Sequence, residues 1–169
     1  MTGSRDATLA DLPVIDALFR TSFVETFGHL YREEDLAAFL ARFTPEAWRQ
    51  EFTDPAYRFR LGLAGDEPAG FAKISPVTLP VTPEAPALEL RQLYLTKRFH
   101  GLGVAGLLMD WVLAQARQRG AKELYLTVWT GNGRAKAFYR RYGFTYVAPY
   151  AFMVGEQADE DEIWRLRLG

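Results

Sequence analysis

The sequence predicts a mixed α/β fold, a single β-sheet with helices on its faces. Three observations carry that prediction. Apolar residues recur at helical spacing up to about residue 54, then switch to strict alternation. A glycine-rich turn joins a strand to an amphipathic helix in the second half. Strand and helix patterns then alternate to the end, the order that builds a layered sheet rather than a helical bundle. With 169 residues, of which 49% are apolar, the chain suits one domain spanning 1–169.

Each element has its own signal. Thr8-Leu9-Ala10-Asp11 has capping-box spacing, with Asp11 where Glu or Gln is usual, and Leu12, Ile15, Leu18, Phe19 and Phe23 follow on one helical face. Gly28 offers a stop. Glu33 to Phe43 repeats the pattern through Leu36, Phe39 and Leu40, and Thr44-Pro45-Glu46 caps a third helix that ends near Asp54-Pro55. Tyr57, Phe59, Leu61 and Leu63 alternate as a strand, Gly65-Asp66-Glu67-Pro68 turns the chain, and 69–75 pairs back as a hairpin. The prolines between Pro76 and Pro86 predict a loop before a strand over 87–95. Val104, Leu107, Leu108, Trp111 and Val112 mark a helix over 103–119. A strand over 123–129, a helix over 132–142, a strand over 144–150, an acidic loop and a strand over 163–168 complete the reading.

Composition narrows the chemistry. Cysteine is absent, which excludes disulfides, thiolate zinc sites and a Cys nucleophile. The three serines, Ser4, Ser22 and Ser75, lie outside any Gly-x-Ser-x-Gly. His29 and His100 are far apart and show no metal-ligand spacing, so no metal is expected. No signal-peptide pattern opens the chain, and no apolar run approaches the ~20 residues of a membrane span. These features predict a cytoplasmic protein without a membrane partner. The net charge of −1 conceals unlike pieces: residues 1–90 hold 8 Lys/Arg against 14 Asp/Glu, 91–141 hold 10 against 2, and 142–169 hold 2 against 5. A basic middle inside an acidic chain calls for an anionic ligand at a defined place, with a solvated helix face as the plainer account.

That place is Lys97-Arg98-Phe99-His100-Gly101-Leu102-Gly103-Val104-Ala105-Gly106. Free N–H groups at a helix start and the helix dipole attract an anion, and glycines let the backbone approach phosphate oxygens. Gly101-x-Gly103-x-x-Gly106 matches the dinucleotide fingerprint, but Leu126 to Thr130 lacks the acid that should follow about twenty residues on. No Gly-Lys-Ser/Thr makes a P-loop.

Arg98-x-x-Gly101-x-Gly103 is similar to the (Q/R)xxGx(G/A) signature of the GNAT superfamily of acyl-CoA N-acyltransferases. Asn132-x-x-Ala135-x-x-Phe138-Tyr139-x-x-x-Gly143-Phe144 resembles that family's second signature, at matching distance from the first. His100 departs from the common Gly or Lys, and Gly131 and Gly133 flank Asn132. The resemblance implies a central, mostly antiparallel sheet with helices on both faces and a splayed strand pair holding the cofactor. It implies acetyl-CoA as cosubstrate, its pyrophosphate on Arg98, His100, Gly101, Leu102, Gly103, Val104 and Ala105. Pantetheine would lie along Leu93, Tyr94 and Leu95, with Asn132, Phe138 and Tyr139 on the other side.

The same resemblance implies acetyl transfer to a primary amine by direct attack in a ternary complex. Tyr139 matches the general acid that protonates the leaving thiolate, although Tyr on an amphipathic helix also serves packing. Glu89 lies where members of the family often place a base acting through water, and a structural pair with Arg91 is its plainer role. Thr26 to Tyr31 followed by Glu33-Glu34-Asp35-Leu36 loosely resembles bacterial polyamine acetyltransferases. The acidic first half favours a small cationic amine; a protein N-terminus or lysine, or a non-catalytic CoA-binding sensor, stays open. Phe138 and Tyr142 fit core positions better than base-stacking ones, so nucleic acid is not an expected partner. A homodimer is compatible with the sequence.

Overall fold

A computed structural model describes all residues, Met1–Gly169. Seven strands form one sheet: β1 (Thr2–Asp6), β2 (Arg58–Ala64), β3 (Glu67–Ser75), β4 (Ala87–Leu95), β5 (Glu123–Trp129), β6 (Thr145–Val154) and β7 (Gln157–Arg167). Their order is β1-β2-β3-β4-β5-β7-β6. All neighbours are antiparallel except β4 and β5. The helices are α1 (Leu12–Phe27), α2 (Glu33–Leu40), α3 (Pro45–Thr53), α4 (Val104–Gln118) and α5 (Gly133–Arg141), and short 3-10 turns precede α1, α2 and α4. No helix is long and apolar enough to cross a membrane.

Two cores sit on opposite faces, as the alternation of β2 and β3 requires. On one, Val104, Leu108, Met109, Val112 and Ala116 of α4 pack on Ala72, Ile74, Leu90, Leu124 and Leu126. On the other, Ile15, Phe19 and Phe23 of α1 meet Phe39, Trp48, Phe59, Leu61 and Phe71. Each fully buried side chain of this size contributes roughly 1.5–3 kcal/mol by leaving water. The mixed sheet with helices on both faces is therefore the fold expected.

The caps follow the sequence closely. Thr8 N–H donates to Asp11 Oδ2 at 2.7 Å, closing the capping box at a 3-10 turn, Leu9–Asp11, that precedes α1. Thr44 accepts from Ala47 N at 3.1 Å, and Asn132 accepts from Ala135 N at 3.2 Å.

One strand lies outside the sequence reading, and one expectation is corrected. The first residues form β1, which pairs with β2 from Thr2↔Ala64 to Asp6↔Arg60. Thr2–Asp6 carries no apolar alternation because it is an edge strand with little to bury. The expected acidic loop is strand on either side of a turn at 155–156: β6 and β7 pair from Thr145↔Arg165 to Val154↔Gln157, with one register shift between Tyr146 and Ala148. Charge masks the period there, yet Asp159, Asp161 and Ile163 are all buried at alternate positions.

The sheet opens at its centre. β4 and β5 pair only at Ala87↔Glu123, Leu88↔Leu124 and Glu89↔Tyr125. Beyond them Leu90–Leu95 and Leu126–Trp129 diverge, each still paired on its outer side. A bulge in β4 sits at the start of this divergence, where Lys73 pairs Gln92 but Ile74 pairs Leu90, leaving Arg91 as the extra residue.

Candidate active site

The divergence of β4 and β5 makes a cleft of about 910 Å³ lined from both faces of the sheet. Leu93, Tyr94 and Leu95 form one wall, and Thr127, Val128 and Trp129 the other. On the α4 face the lining comes from His100, Gly101, Gly103, Val104 and Ala105, with Asn132, Phe138 and Tyr139 across from them. On the α1 face it comes from Phe23, Thr26, Phe27, Tyr31, Phe152, Asp159 and Asp161.

The glycine turn leaves backbone N–H groups open to the cleft. Gly101 and Gly103 adopt φ of +82° and +88°, conformations that side chains disfavour. Gly103 is the N-cap of α4 and offers no side chain to cap it. The first helical bond there runs from Leu107 N to Gly103 O at 3.2 Å, so the N–H groups before it are free for a ligand. Arg134 and Arg141 add positive charge to the lining from α5.

Tyr139 is buried in the cleft wall, and burial pushes its phenol above the usual value of 10. It therefore stays protonated and can donate. The Tyr94 phenol is pushed up as well, by burial and by the charge sites of Tyr139 and Asp161. Gln92 lies in the same wall, and its side-chain carbonyl is buried without a hydrogen-bond partner. An orphaned acceptor facing a cleft fits a ligand that brings an N–H.

Three residues expected at the site stand apart from the cleft. Glu89 is buried beneath the loop over 76–86: its Oε1 accepts from Thr78 N and Thr78 Oγ1, both at 2.9 Å, and Arg91 Nε lies 3.9 Å from Oε2. Oε1 is engaged by Thr78, Oε2 faces Arg91 at ion-pair distance, and Glu89 does not line the cleft, an arrangement that fits the plainer structural role. Arg98 is exposed, ion-paired to Glu67 and stacked on Phe99 at 4.1 Å. Leu102 is 53% exposed on the outside of the turn.

The acidic first half does not line the cleft. Glu33 and Glu34 face solvent, and Asp35 accepts from Glu156 N and Arg32. Asp159 and Asp161 of β7 are the acids of the lining. Sequence reasoning missed both by assigning 151–162 to a loop; the strand expected from Ile163 begins earlier, and its alternation runs back through Asp161 and Asp159. Trp129, also unassigned, stands opposite Asp161 in the β5–β7 register, with Phe27 edge-on at 6.2 Å. No group of three or more His, Cys, Asp or Glu is placed to hold a metal ion.

Residues 18–144 match the model of the acetyltransferase (GNAT) family. An uncharacterized N-acetyltransferase of Lactobacillus delbrueckii subsp. lactis is 29% identical over 172 residues, covering 99% of both chains. Among solved structures, the PaiA N-acetyltransferase of Thermoplasma acidophilum in complex with coenzyme A superposes with a TM-score of 0.77 at 18% identity, covering 99% of each chain. An N-acetyltransferase of Staphylococcus aureus Mu50 gives 0.78 at 17% identity, over 100% of this chain and 99% of the other.

Proposed function

The chain belongs to the acetyltransferase (GNAT) family and is an acetyl-CoA-dependent N-acetyltransferase; on that premise we propose that its acceptor is a small cationic amine, of polyamine type or similar. The observation that carries the acceptor is the α1 side of the cleft, where Asp159 and Asp161 lie among Tyr31, Trp129, Tyr94 and Phe152. Carboxylates attract an ammonium group, and aromatic faces stabilise it by their quadrupoles. The acidic first half gave the same expectation for a different reason. The acids that serve it are the two on β7.

The cofactor half fits coenzyme A. Its pyrophosphate suits the free N–H groups from Gly103 onward, where Gly101 and Gly103 hold conformations open to close backbone approach. Arg134 and Arg141 suit its phosphates, and the diverging edges of β4 and β5 suit the pantetheine amides. Gln92 Oε1 is an acceptor ready for one N–H. The wider assignment of Leu93, Tyr94, Leu95, His100, Val104, Ala105, Asn132 and Phe138 to the cofactor is part of the same proposal. So is a cofactor contact by Arg98, reached by leaving Glu67.

The acetyl group then passes directly. The amine nitrogen attacks the thioester carbonyl carbon, backbone N–H groups of the open strand edge face the oxyanion, and the C–S bond breaks. Tyr139 gives its proton to the departing sulfur and regains one from the nitrogen as the amide forms. No Ser or Cys is placed to form an acyl-enzyme, and Ser22 and Ser75 are buried in hydrogen bonds to backbone carbonyls.

The test is release of free thiol from acetyl-CoA with spermidine, an aminoglycoside and an alanyl peptide as acceptors. Turnover with spermidine or the aminoglycoside supports the proposal. Turnover confined to the peptide moves the acceptor to protein N-termini. Saturable CoA binding without thiol release from any of the three would exclude this acceptor class and send the search to other amines.

A further inference from the structure

Asp159 and Asp161 share one face of β7, yet their surroundings differ. Asp159 Oδ2 accepts from Tyr31 Oη, and Oδ1 accepts from Gln157 Nε2 at 3.1 Å, with Gln157 also held to Leu30 O at 3.2 Å. Asp159 is thus a braced carboxylate that ties β7 to the segment after α1. Asp161 is 9% exposed, lines the cleft, and receives no hydrogen bond or ion pair from the protein. The residue is mostly buried, and what its carboxylate has open is the cleft, so a cationic ligand there can supply the partner that the protein does not.

We propose that Asp161 is the catalytic base of this acetyltransferase, accepting the proton that the acceptor ammonium must lose before its nitrogen can attack. The proposal rests on the reading of the cleft as an acetyl-CoA and amine site. Its position supports the role: Trp129 and Tyr150 flank it in register on β5 and β6, and it faces the opening between β4 and β5. Tyr94, Tyr139 and Asp161 all line the cleft, so the two proton-handling groups border one space. The bookkeeping closes. An ammonium acceptor loses one proton to Asp161 and a second as the amide forms; the second replaces the one that Tyr139 gave to sulfur. Asp161 returns its proton to solvent.

The environment tunes the group for the task. Burial, then the charges of Asp159 and Glu162, raise the carboxyl from 3.8 to about 7. The titratable groups around it are Asp159 on the same face of β7, Tyr150 on β6, Tyr94 on β4 and Tyr31 after α1, with Glu162 next to it on the opposite face and paired to Lys136 at 3.0 Å. No cation neutralises Asp161 directly. A base near neutrality balances being ionised against being basic enough to take the proton. The same desolvation lowers the basicity of a bound ammonium and narrows the gap between donor and acceptor.

The test uses the full chain, saturating acetyl-CoA and spermidine, an acceptor that stays ammonium between pH 5 and 8.5. We expect kcat/KM of the unsubstituted protein to rise with pH to a plateau, with a midpoint near 7. Asp161→Asn should lower kcat/KM at pH 8 by ~10²-fold and remove that rise, while leaving CoA affinity unchanged by titration calorimetry. Asp161→Glu should restore part of the rate and the rising limb. An Asp161→Asn enzyme that keeps the rise, or keeps most of its rate, overturns the proposal. Where spermidine gives no turnover the same series is run with the aminoglycoside, and where neither is turned over the acceptor reading fails instead. The base is then judged by the Asp161 carboxyl carbon resonance: a midpoint near 7 supports it and one below 5 overturns it.

Discussion

Gly70 lies directly against the carbonyl oxygen of Tyr94: a Cβ at Gly70 would fall inside the van der Waals envelope of that backbone oxygen. Only a residue without a side chain lets β3 run this close to β4 along the cleft wall, where Gly70 pairs with Leu95. Gly70→Ala must push β4 away. The expected loss is about 2 kcal/mol or more of stability, as overpacking against backbone is poorly relieved. It should also raise KM for acetyl-CoA, because Leu93–Leu95 shift with the strand. A urea midpoint equal to that of the parent chain would contradict the prediction.

Gly103→Glu combines two penalties at the proposed pyrophosphate cradle. The residue is held at φ +88°, which side chains disfavour, and a carboxylate there repels phosphate. Affinity for CoA should weaken by ~10²-fold, corresponding to ~2.7 kcal/mol. Calorimetric titration with CoA measures it, and a melting curve separates lost binding from lost fold. Native affinity in the folded variant would move the cofactor elsewhere.

Tyr139→Phe removes the phenol and little else. If Tyr139 is the acid, kcat falls by ~10²-fold with CoA affinity intact. The pH dependence has its own signature. Burial holds the phenol above 10, so the proton remains available through the alkaline range. The kcat of the parent chain should therefore show no fall up to pH 10. Full turnover by the Phe variant assigns Tyr139 to packing with Phe138 and Phe144 instead.

Asp161→Asn has an effect on stability opposite to its effect on rate. The carboxyl is raised from 3.8 to about 7 on folding. Between those values the folded chain binds more protons than the unfolded one, so stability falls as pH rises from about 4 to 7 and then levels off. Asn carries no such charge. The variant should be more stable than the parent by ~1–3 kcal/mol at pH 8 and about equal to it at pH 4. Urea unfolding at the two pH values measures this, and an equal gap at both would count against the unpartnered carboxylate.

Much of this molecule is legible in its sequence, for identifiable reasons. Thr44-Pro45 and Asn132 mark helix starts because a side-chain oxygen beside an orphaned N–H is a local arrangement. Gly101 and Gly103 mark the turn because positive φ selects glycine. The failures are of another kind. Thr2–Asp6 is a strand because of β2, fifty residues away, and nothing within it says so. Asp159 is paired to Tyr31 across 128 residues, and a run of acids reads as solvated until the hydroxyl partner is seen. Glu89 has the strand position of a base, but Thr78 in a proline-rich loop takes its oxygen. Local physics writes itself in the sequence, while partnership between distant segments does not.

The opening between β4 and β5 has a kinetic consequence. A sheet is ordinarily a barrier, but here it has a doorway in the middle, with the proposed nucleotide seat on the α4 face and the carboxylates on the α1 face. Two reactants that enter from opposite sides do not queue at one mouth. Excess of either leaves the route of the other clear, so neither order of arrival is forced by obstruction. Initial rates over a grid of both concentrations should give intersecting lines, with no substrate inhibition by acetyl-CoA against the amine.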